Sequence, residues 1–394
     1  MKKSEQILIL VGAVITQLGL GTFYTWSLAN KPLALAHGWD IKQVVISFSI
    51  ASLFLAIGTL FAKKLQFTFG LKKVIIACGI IFCITLIIAP LMNSLPLLYI
   101  FAGVILGLCD GIAYVLTVSN VIKWFPKHKG LVSGISVGAY GIGSLIFTSV
   151  NSYLFKHFEV HIAFAIWGIL AGILIVIGAF VTKEAILSIL PDKNHKQTKV
   201  YTVKDLFKTK QTYFLFIAFF GSCATGLYLI GSATTIAINL GHMTVATAAL
   251  AVSIIAIFNT LGRLIYGFIS DKLGINIAAT ILFILMIIAL LILLFAKITF
   301  PVFLIALILI AACFGGGFTI YPSIVGEYYG LRNHSMNYGI IYQCFGIAGI
   351  FTGVVGGLVP SYKYMFGILL AFCILSLIIM IFIREPKKNT LQNK

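Results

Sequence analysis

Apolar runs of about eighteen residues or more recur from one end of this 394-residue chain to the other. Such a run can cross the hydrocarbon core of a bilayer as an α-helix, which rises about 1.5 Å per residue. Charged residues make up only 10% of the chain, whereas an ordinary soluble domain has about 25%. The sequence therefore predicts an all-α membrane protein that crosses the bilayer many times.

Length and hydropathy together predict twelve spans. They cover residues 7–30, 41–62, 72–92, 96–121, 130–153, 160–182, 211–240, 245–270, 276–296, 299–325, 336–359 and 362–383.

The formal net charge of +18 follows the predicted topology. Lysine and arginine crowd the termini and the connections after spans 2, 4, 6, 8 and 10. The connections on the opposite side carry few cations, namely Lys31, Lys42, Lys156, Lys297 and Lys363. The positive-inside rule then places both termini in the cytoplasm. The basic excess is explained by topology, and we expect no nucleic-acid partner.

The chain reads as two similar halves joined by a polar linker at 183–210, which holds seven lysines and a possible short surface helix at "TVKDLF". Gly70 matches Gly274, and Pro96 matches Pro301, at an offset of about 205 residues. Weak internal symmetry of this kind is typical of transporters built from two six-helix halves. The predicted domains are residues 1–182, the cytoplasmic linker 183–210, and residues 211–394.

The segment "GFISDKLG" after span 8 resembles the loop signature Gly-x-x-x-Asp-Arg/Lys-x-Gly of the major facilitator superfamily. The resemblance implies twelve helices in two pseudo-symmetric bundles, with Asp271, Lys272 and Gly274 forming a gating loop. The first-half copy, "KKLQFTFGLKK", departs from the signature, because Phe67 and Thr68 stand at its acidic and basic positions.

Other stretches resemble one branch of that superfamily, the oxalate/formate antiporter family. They are "LGLGTFYTWSLANKPL", "SNVIKWFPKHKGLVSGISVGAYGIGSLIF" and "YPSIVGEYYG…NYGIIYQCFG", and "GLCDG" is similar to the branch tied to pyruvate-like monocarboxylates. The resemblance implies a monomeric, multi-pass protein of the bacterial cytoplasmic membrane. Its expected partners are a small organic anion, the lipid bilayer, and a proton or counter-anion, with no cofactor.

Arg263 lies inside an apolar helical stretch, nine residues before Lys272. That spacing is about 13 Å along a helix, which is too deep for the side chain to reach the interface easily. A charge at such a depth costs about 2.5–3.5 kcal/mol, and it persists when it faces partners or a watery cavity. Because a guanidinium matches a carboxylate bidentately, we expect Arg263 to bind a substrate carboxylate. A structural arginine bonded to an acid or to carbonyl groups is the alternative.

Carriers of the resembled family use a second cation, a lysine in span 11, and the matching position here is Phe345. Asn259 lies one turn before Arg263 and is expected to orient it. The remaining expected substrate-binding residues have aromatic or amide side chains, although each could instead serve only in packing. They are Tyr24, Tyr114, Tyr140, Phe314, Phe318, Tyr342 and Gln343.

Asp110 is the one acid predicted to lie deep in a span, thirteen residues before Lys123. A buried carboxyl group can exchange protons with bulk water, so Asp110 is a candidate for proton coupling. It could also be the counter-ion of Arg263 in the empty carrier, or a packing residue among neighbouring glycines.

These residues predict a secondary transporter of a small monocarboxylate, pyruvate- or lactate-like, that works by alternating access and is coupled to protons. A proton-independent carboxylate exchanger is the main alternative, and an exporter of drugs or other organic solutes is a weaker one. We find no catalytic constellation, metal-ligand spacing or nucleotide-binding signature in the sequence, so an enzyme or an ATP-driven pump is not expected.

Overall fold

The computed structural model describes residues 3–185 and 200–386. Regular secondary structure in these residues is helical, and twelve helices are long and apolar enough to cross a membrane, which confirms the predicted number of spans. They are Ser4–Leu28, Ile41–Phe69, Leu71–Leu91, Leu95–Trp124, Lys129–His157, Val160–Val181, Lys210–Gly231, Ile254–Leu273, Ile275–Phe295, Phe300–Tyr328, His334–Leu358 and Tyr362–Phe382.

The α-helices are numbered in chain order. They are α1 (Lys3–Gly21), α2 (Asn30–His37), α3 (Ile41–Phe69), α4 (Leu71–Ile88), α5 (Leu95–Leu98), α6 (Leu106–Trp124), α7 (Lys129–His157), α8 (Val160–Val181), α9 (Val203–Phe207), α10 (Lys210–Gly231), α11 (Ala233–Asn239), α12 (Val245–Leu273), α13 (Ile275–Phe295), α14 (Phe300–Tyr328), α15 (His334–Leu358) and α16 (Tyr362–Phe382). Span 1 continues from α1 as a 3-10 helix (Thr22–Leu28), and span 4 contains a π-helical turn (Tyr99–Ile105).

The second span is longer than predicted, because α3 continues through Lys63 and Lys64 to Phe69. Lysine and glutamine are good helix formers, so the first charges after the apolar run do not end the helix. It ends at Gly70, whose φ of 82° is readily adopted by glycine. Gly274 ends α12 in the same way with a φ of 94°, so the matched glycines have matched backbone roles.

The seventh span is shorter than predicted. The sequence predicts one helix over 211–240, whereas α10 ends at Gly231 and α11 begins separately at Ala233. Ser232 lies between the two helices with φ −103° and ψ 6°, outside the α-helical region, and Gly231 before it has low intrinsic helix propensity.

The contacts divide the chain into two compact units. Unit 1 comprises Met1–Pro126, Ala139–Pro191 and Tyr338–Gly346, and unit 2 comprises Lys127–Gly138, Asp192–Asn337 and Ile347–Lys394. The predicted domain boundaries at 182 and 211 remain a prediction, because short parts of α7 and α15 are assigned to the unit of the other half.

Unit 1 is built around α6, on which α1, α3 and α4 pack, with α8 against α1 and α4. Glycines permit the closest of these approaches: a β-carbon at Gly111 would collide with the carbonyl oxygen of Leu55, and one at Gly107 with that of Ala51. The α3–α6 contact on either side of Asp110 is therefore tight.

Unit 2 is built around α14, on which α10, α12 and α13 pack, with α16 against α10 and α13. The α12–α14 contact is also made through glycine, since β-carbons at Gly262 and Gly315 would collide with the carbonyl oxygens of Ala312 and Asn259.

The predicted surface helix is present as α9. Thr202 and Asp205 form a capping box at its start, in which each side chain accepts a hydrogen bond from the other residue's backbone N–H. Of the predicted linker, residues 186–199 lie outside the described residues.

Candidate functional site

Arg263 is buried in α12, with only 3% of its surface exposed. Its Nη1 donates a hydrogen bond of 2.5 Å to the backbone carbonyl of Val137 in α7. Its Nη2 donates one of 3.1 Å to Oδ1 of Asn259. These two neutral oxygens set the plane of the guanidinium.

The side chain of Asn259 is itself held in place by a second hydrogen bond, made by its amide nitrogen. Its Nδ2 donates a hydrogen bond of 3.2 Å to the carbonyl of Ala311 in α14. Since the oxygen of the same amide accepts from Arg263, the side chain cannot rotate without breaking one bond or the other. This geometry suits the predicted orienting role, which remains a prediction.

The backbone at Arg263 is fixed as well. Thr319 in α14 donates a hydrogen bond of 3.1 Å from Oγ1 to the Arg263 carbonyl. Gly134 in α7 approaches the same carbonyl so closely that a β-carbon there would lie 2.5 Å from the oxygen. The guanidinium is thus carried on a backbone held by two neighbouring helices.

Two of the aromatic residues predicted to bind substrate, Phe314 and Phe318, lie near Arg263. The ring centroid of Phe318 is 5.9 Å from Cζ of Arg263, within the range of a cation–π contact. Phe314 lies one turn earlier on α14 and packs edge-on against Phe318, with ring centroids 5.1 Å apart. Arg263, Asn259 and these two rings form one cluster in unit 2.

Asp110 is fully buried in α6 of unit 1. Its Oδ2 accepts a hydrogen bond of 3.1 Å from the hydroxyl of Tyr140 in α7. Its Oδ1 has no hydrogen-bond partner among the described residues. A carboxylate so buried is costly while it is charged, and protonation removes most of that cost.

The predicted aromatic residues of the first half surround Tyr140. Tyr24 packs edge-on against it at a centroid distance of 5.4 Å, and Tyr114 does so at 5.8 Å. Tyr342 of α15 lies 5.5 Å from Tyr114. Phe345, 2% exposed, lies 5.5 Å from Tyr342. These five rings and Asp110 form a second cluster, entirely within unit 1.

Gln343 neighbours Tyr342 in sequence, but its side chain bonds to α3. Its Nε2 donates hydrogen bonds of 2.7 Å to the carbonyls of Ala56 and Gly339, and it lies 3.2 Å from Oγ1 of Thr59. The amide nitrogen is therefore occupied by helix–helix contacts. A substrate would have to compete with them.

The predicted gating loop has a defined partner. The carboxylate of Asp271 accepts hydrogen bonds of 2.8 Å from the backbone N–H groups of Gly130 and Leu131, in the first turn of α7. An anion at this end of a helix is also stabilised by the helix dipole. Lys272 lies over the ring of Phe268, 5.6 Å from its centroid, and Gly274 makes the turn into α13.

The matching loop of the first half is held differently. Glu184, just after α8, accepts a hydrogen bond of 2.6 Å from Nε2 of Gln66 and one of 2.9 Å from the N–H of Leu71. Sequence reasoning missed this contact and also the one between Arg263 and the Val137 carbonyl. An acidic residue at the end of span 6 could have indicated the first. Nothing could have indicated the second, because every residue type has a backbone carbonyl.

Comparison with known proteins identifies relatives along nearly the whole chain. A family model described as Major Facilitator Superfamily matches residues 9–299 and 224–394. The chain is 40% identical over 343 residues to the uncharacterized MFS-type transporter YhjX of Escherichia coli, covering 87% of this chain and 85% of that protein. It is 28% identical over 353 residues to the oxalate:formate antiporter of Oxalobacter formigenes, covering 86% and 81%. The structure of the proton:xylose symporter XylE shares its fold, with a TM-score of 0.79 and 14% identity over 99% of this chain and 98% of XylE.

Proposed function

Because this chain belongs to the major facilitator superfamily of membrane transporters, we propose that it is a secondary transporter of a small monocarboxylate, pyruvate- or lactate-like. It works by alternating access and couples substrate movement to a proton. Arg263 binds the substrate carboxylate, and Asp110 carries the proton.

The observation that carries this proposal is the geometry of Arg263. A guanidinium that is 3% exposed in a membrane-spanning helix carries an unfavourable free energy of insertion. Here its orientation is set by Asn259 and by the Val137 carbonyl, while the Phe318 ring covers part of its face. An oriented, planar donor fork fits the two oxygens of a carboxylate. The neighbouring phenyl rings suit a small apolar substituent.

The preference for a monoanion is supported by Phe345. The position at which carriers of the resembled family have a second cation is occupied here by a buried phenyl ring. A dicarboxylate would bring a second charge, and a buried charge without a partner is very costly. A monocarboxylate has a single charge, which Arg263 can pair, so no charge is buried without a partner.

Proton coupling is supported by the surroundings of Asp110. Its full burial, and the hydrogen bond that its Oδ2 accepts from Tyr140, suit a carboxyl group that takes up and releases a proton during the cycle. The ring of Tyr140 packs against the rings of Tyr24 and Tyr114. Loss or gain of the proton therefore acts on the residue at the centre of this aromatic cluster.

A proton-independent exchange of carboxylates is the second candidate, and the 28% identity to an oxalate:formate antiporter favours it. The two candidates differ in one measurable property. A proton-coupled carrier accumulates substrate when only a pH gradient is imposed, whereas an exchanger needs a second carboxylate on the other side.

Reconstitution in proteoliposomes tests both. Labelled pyruvate or lactate is supplied outside, with either a pH gradient across the membrane or unlabelled substrate inside. Accumulation under the pH gradient alone supports the proposal. Uptake that requires internal substrate and ignores the pH gradient supports the exchanger, and no uptake in either arm contradicts both.

A further inference from the structure

The connection between α3 and α4 has an unusual surface for a loop at the end of two membrane spans. Gly70 alone separates the two helices, and the last turn of α3 carries Phe67 and Phe69, whose side chains are 85% and 58% exposed. Phe67 stands where the superfamily signature has its acidic residue. We refer to residues 63–73 as the basic aromatic loop.

Four lysines flank these rings. Lys63 and Lys64 lie in the last two turns of α3, and Lys72 and Lys73 in the first turn of α4. Lys64, Lys72 and Lys73 are exposed, and Lys63 is half-buried. The N-terminus of α4 is itself the positive end of a helix dipole, so cations in its first turn are unfavourable unless an anion is present.

The carboxylate at the base of the loop is already engaged. Glu184 accepts hydrogen bonds from Gln66 and from the N–H of Leu71, so it holds the loop to the end of α8. Lys72 also donates to the carbonyl of Phe180 at 3.0 Å. The loop is therefore held to the end of α8, while its two phenyl rings and the side chains of Lys64 and Lys73 remain exposed.

The second half provides an internal comparison. The internal repeat pairs Lys64 with Phe268, Phe67 with Asp271, and Lys73 with Ile277. That loop carries a single lysine, Lys272, beside an aspartate that bonds to α7. The excess of cations distinguishes the first loop from the second. The second loop also has an exposed ring, that of Phe268 at 55%, but its single lysine, Lys272, lies over that ring.

We propose that the basic aromatic loop binds the headgroups of anionic phospholipids in the leaflet at that end of the helices. The lysine ammonium groups meet the phosphates, and the two phenyl rings enter the boundary between headgroups and acyl chains. A phospholipid satisfies both parts of the surface at once, because it is anionic at one end and apolar at the other. This role does not depend on the transported substrate.

The test compares thermal unfolding of the purified full-length chain in nanodiscs of phosphatidylcholine with and without phosphatidylglycerol. We expect phosphatidylglycerol to raise the melting temperature, and the rise to shrink as salt is added, because exposed charges are screened. In the variant Lys64→Gln/Lys72→Gln/Lys73→Gln, the rise falls to less than half. Phe67→Ser, an exposed substitution that leaves the core unchanged, also reduces it.

The matched control is Lys42→Gln/Lys297→Gln/Lys363→Gln, three exposed lysines outside the basic aromatic loop. Lys42 and Lys363 lie in the first turns of α3 and α16, and Lys297 lies between α13 and α14. It should keep the full rise. The proposal is overturned if the control loses as much as the loop variant, or if the loop variant and Phe67→Ser both keep the full rise. Soluble polyglutamate, added to phosphatidylcholine nanodiscs, gives the last arm. If it stabilises the unmutated chain as much as phosphatidylglycerol does, the surface fits an acidic protein segment and the lipid assignment is wrong.

Discussion

The amide of Asn259 bridges Arg263 and α14. Its Oδ1 accepts a hydrogen bond of 3.1 Å from the guanidinium, and its Nδ2 donates one of 3.2 Å to the carbonyl of Ala311. Because the α12–α14 contact is tight, this bridge restricts the conformations of the Arg263 side chain. An arginine held in this way loses less conformational entropy when it binds a ligand.

Asn259→Ala should therefore weaken substrate binding without preventing it. Hydrogen bonds to charged groups contribute about 1.5–3 kcal/mol, so we expect the apparent affinity to fall about tenfold or more. Asn259→Asp should be worse, because a carboxylate one turn away competes with the substrate for Arg263. Uptake kinetics in proteoliposomes give the values, with Thr280→Ala on α13 as a control. Unchanged kinetics in Asn259→Asp would contradict the orienting role.

Arg263→Ala should abolish uptake while the protein still folds and inserts. Arg263→Lys should also fail, because an ammonium group is a point charge and cannot reproduce the planar donor fork. Folding is checked by size-exclusion chromatography and by the melting temperature of each variant. Near-normal transport by a well-folded Arg263→Lys protein would show that charge alone is sufficient and that the bidentate geometry is unnecessary.

Asp110→Asn should lose the pH dependence of uptake. Asparagine keeps the size of the side chain and can still accept a hydrogen bond from Tyr140, but it cannot release a proton. Counterflow exchange, which needs no net proton movement, should survive. Tyr140→Phe is the companion variant, since it removes the hydroxyl and leaves the carboxyl group able to titrate. If Asp110→Asn still accumulates substrate under an imposed pH gradient, the aspartate is a packing residue.

Much of the fold could be predicted from the sequence, because a helix that crosses the bilayer must be made largely of apolar residues. Twelve apolar runs predicted twelve membrane-spanning helices. Gly70 and Gly274, matched in sequence as part of the internal repeat, end α3 and α12 in the same way. The 3-10 end of span 1 and the break after Gly231 were not predicted. Hydropathy reports how deeply a residue is buried and does not distinguish one helical hydrogen-bond pattern from another.

Candidate-site residues were predicted best where the contact is local in sequence. The spacing of Asn259 and Arg263 places them on one helix face, so their hydrogen bond was expected. Gln343 shows the opposite case. Its residue type suggested a polar lining group, whereas the structure turns its amide toward Ala56 in α3. The contact joins residues far apart in the chain, and nothing in a single sequence indicates which neighbouring helix a given face will meet.

Asp271→Ala should lower the melting temperature, since it removes the acceptor of two backbone N–H groups at the start of α7. Loss of a side-chain cap at a helix N-terminus costs about 1 kcal/mol. The neighbouring variant Lys272→Gln is the control, because that exposed side chain lies over a ring and caps no helix. Equal melting temperatures for the Asp271→Ala and unmutated proteins would show that the contact stabilises neither α7 nor the loop.

Phe345 provides the sharpest test of substrate choice. The ring is 2% exposed and packs against Tyr342, so the position contributes apolar surface where the resembled carriers have a cation. With Arg263 as the fixed cation, a monoanion leaves no charge without a partner, whereas oxalate leaves one. We expect monocarboxylates to bind at least about tenfold more tightly than oxalate, a difference of about 1.4 kcal/mol.

Competition against labelled pyruvate or lactate by unlabelled oxalate measures that ratio directly. Phe345→Lys should narrow or reverse it, because it restores the cation that carriers of the resembled family have at this position. Phe345→Met is the control for lost aromatic packing, since it keeps the site apolar and should keep the preference. If oxalate competes as well as pyruvate in the unmutated protein, another residue must supply the second charge. In that event an exchanger of dicarboxylates would fit this chain better than a monocarboxylate carrier.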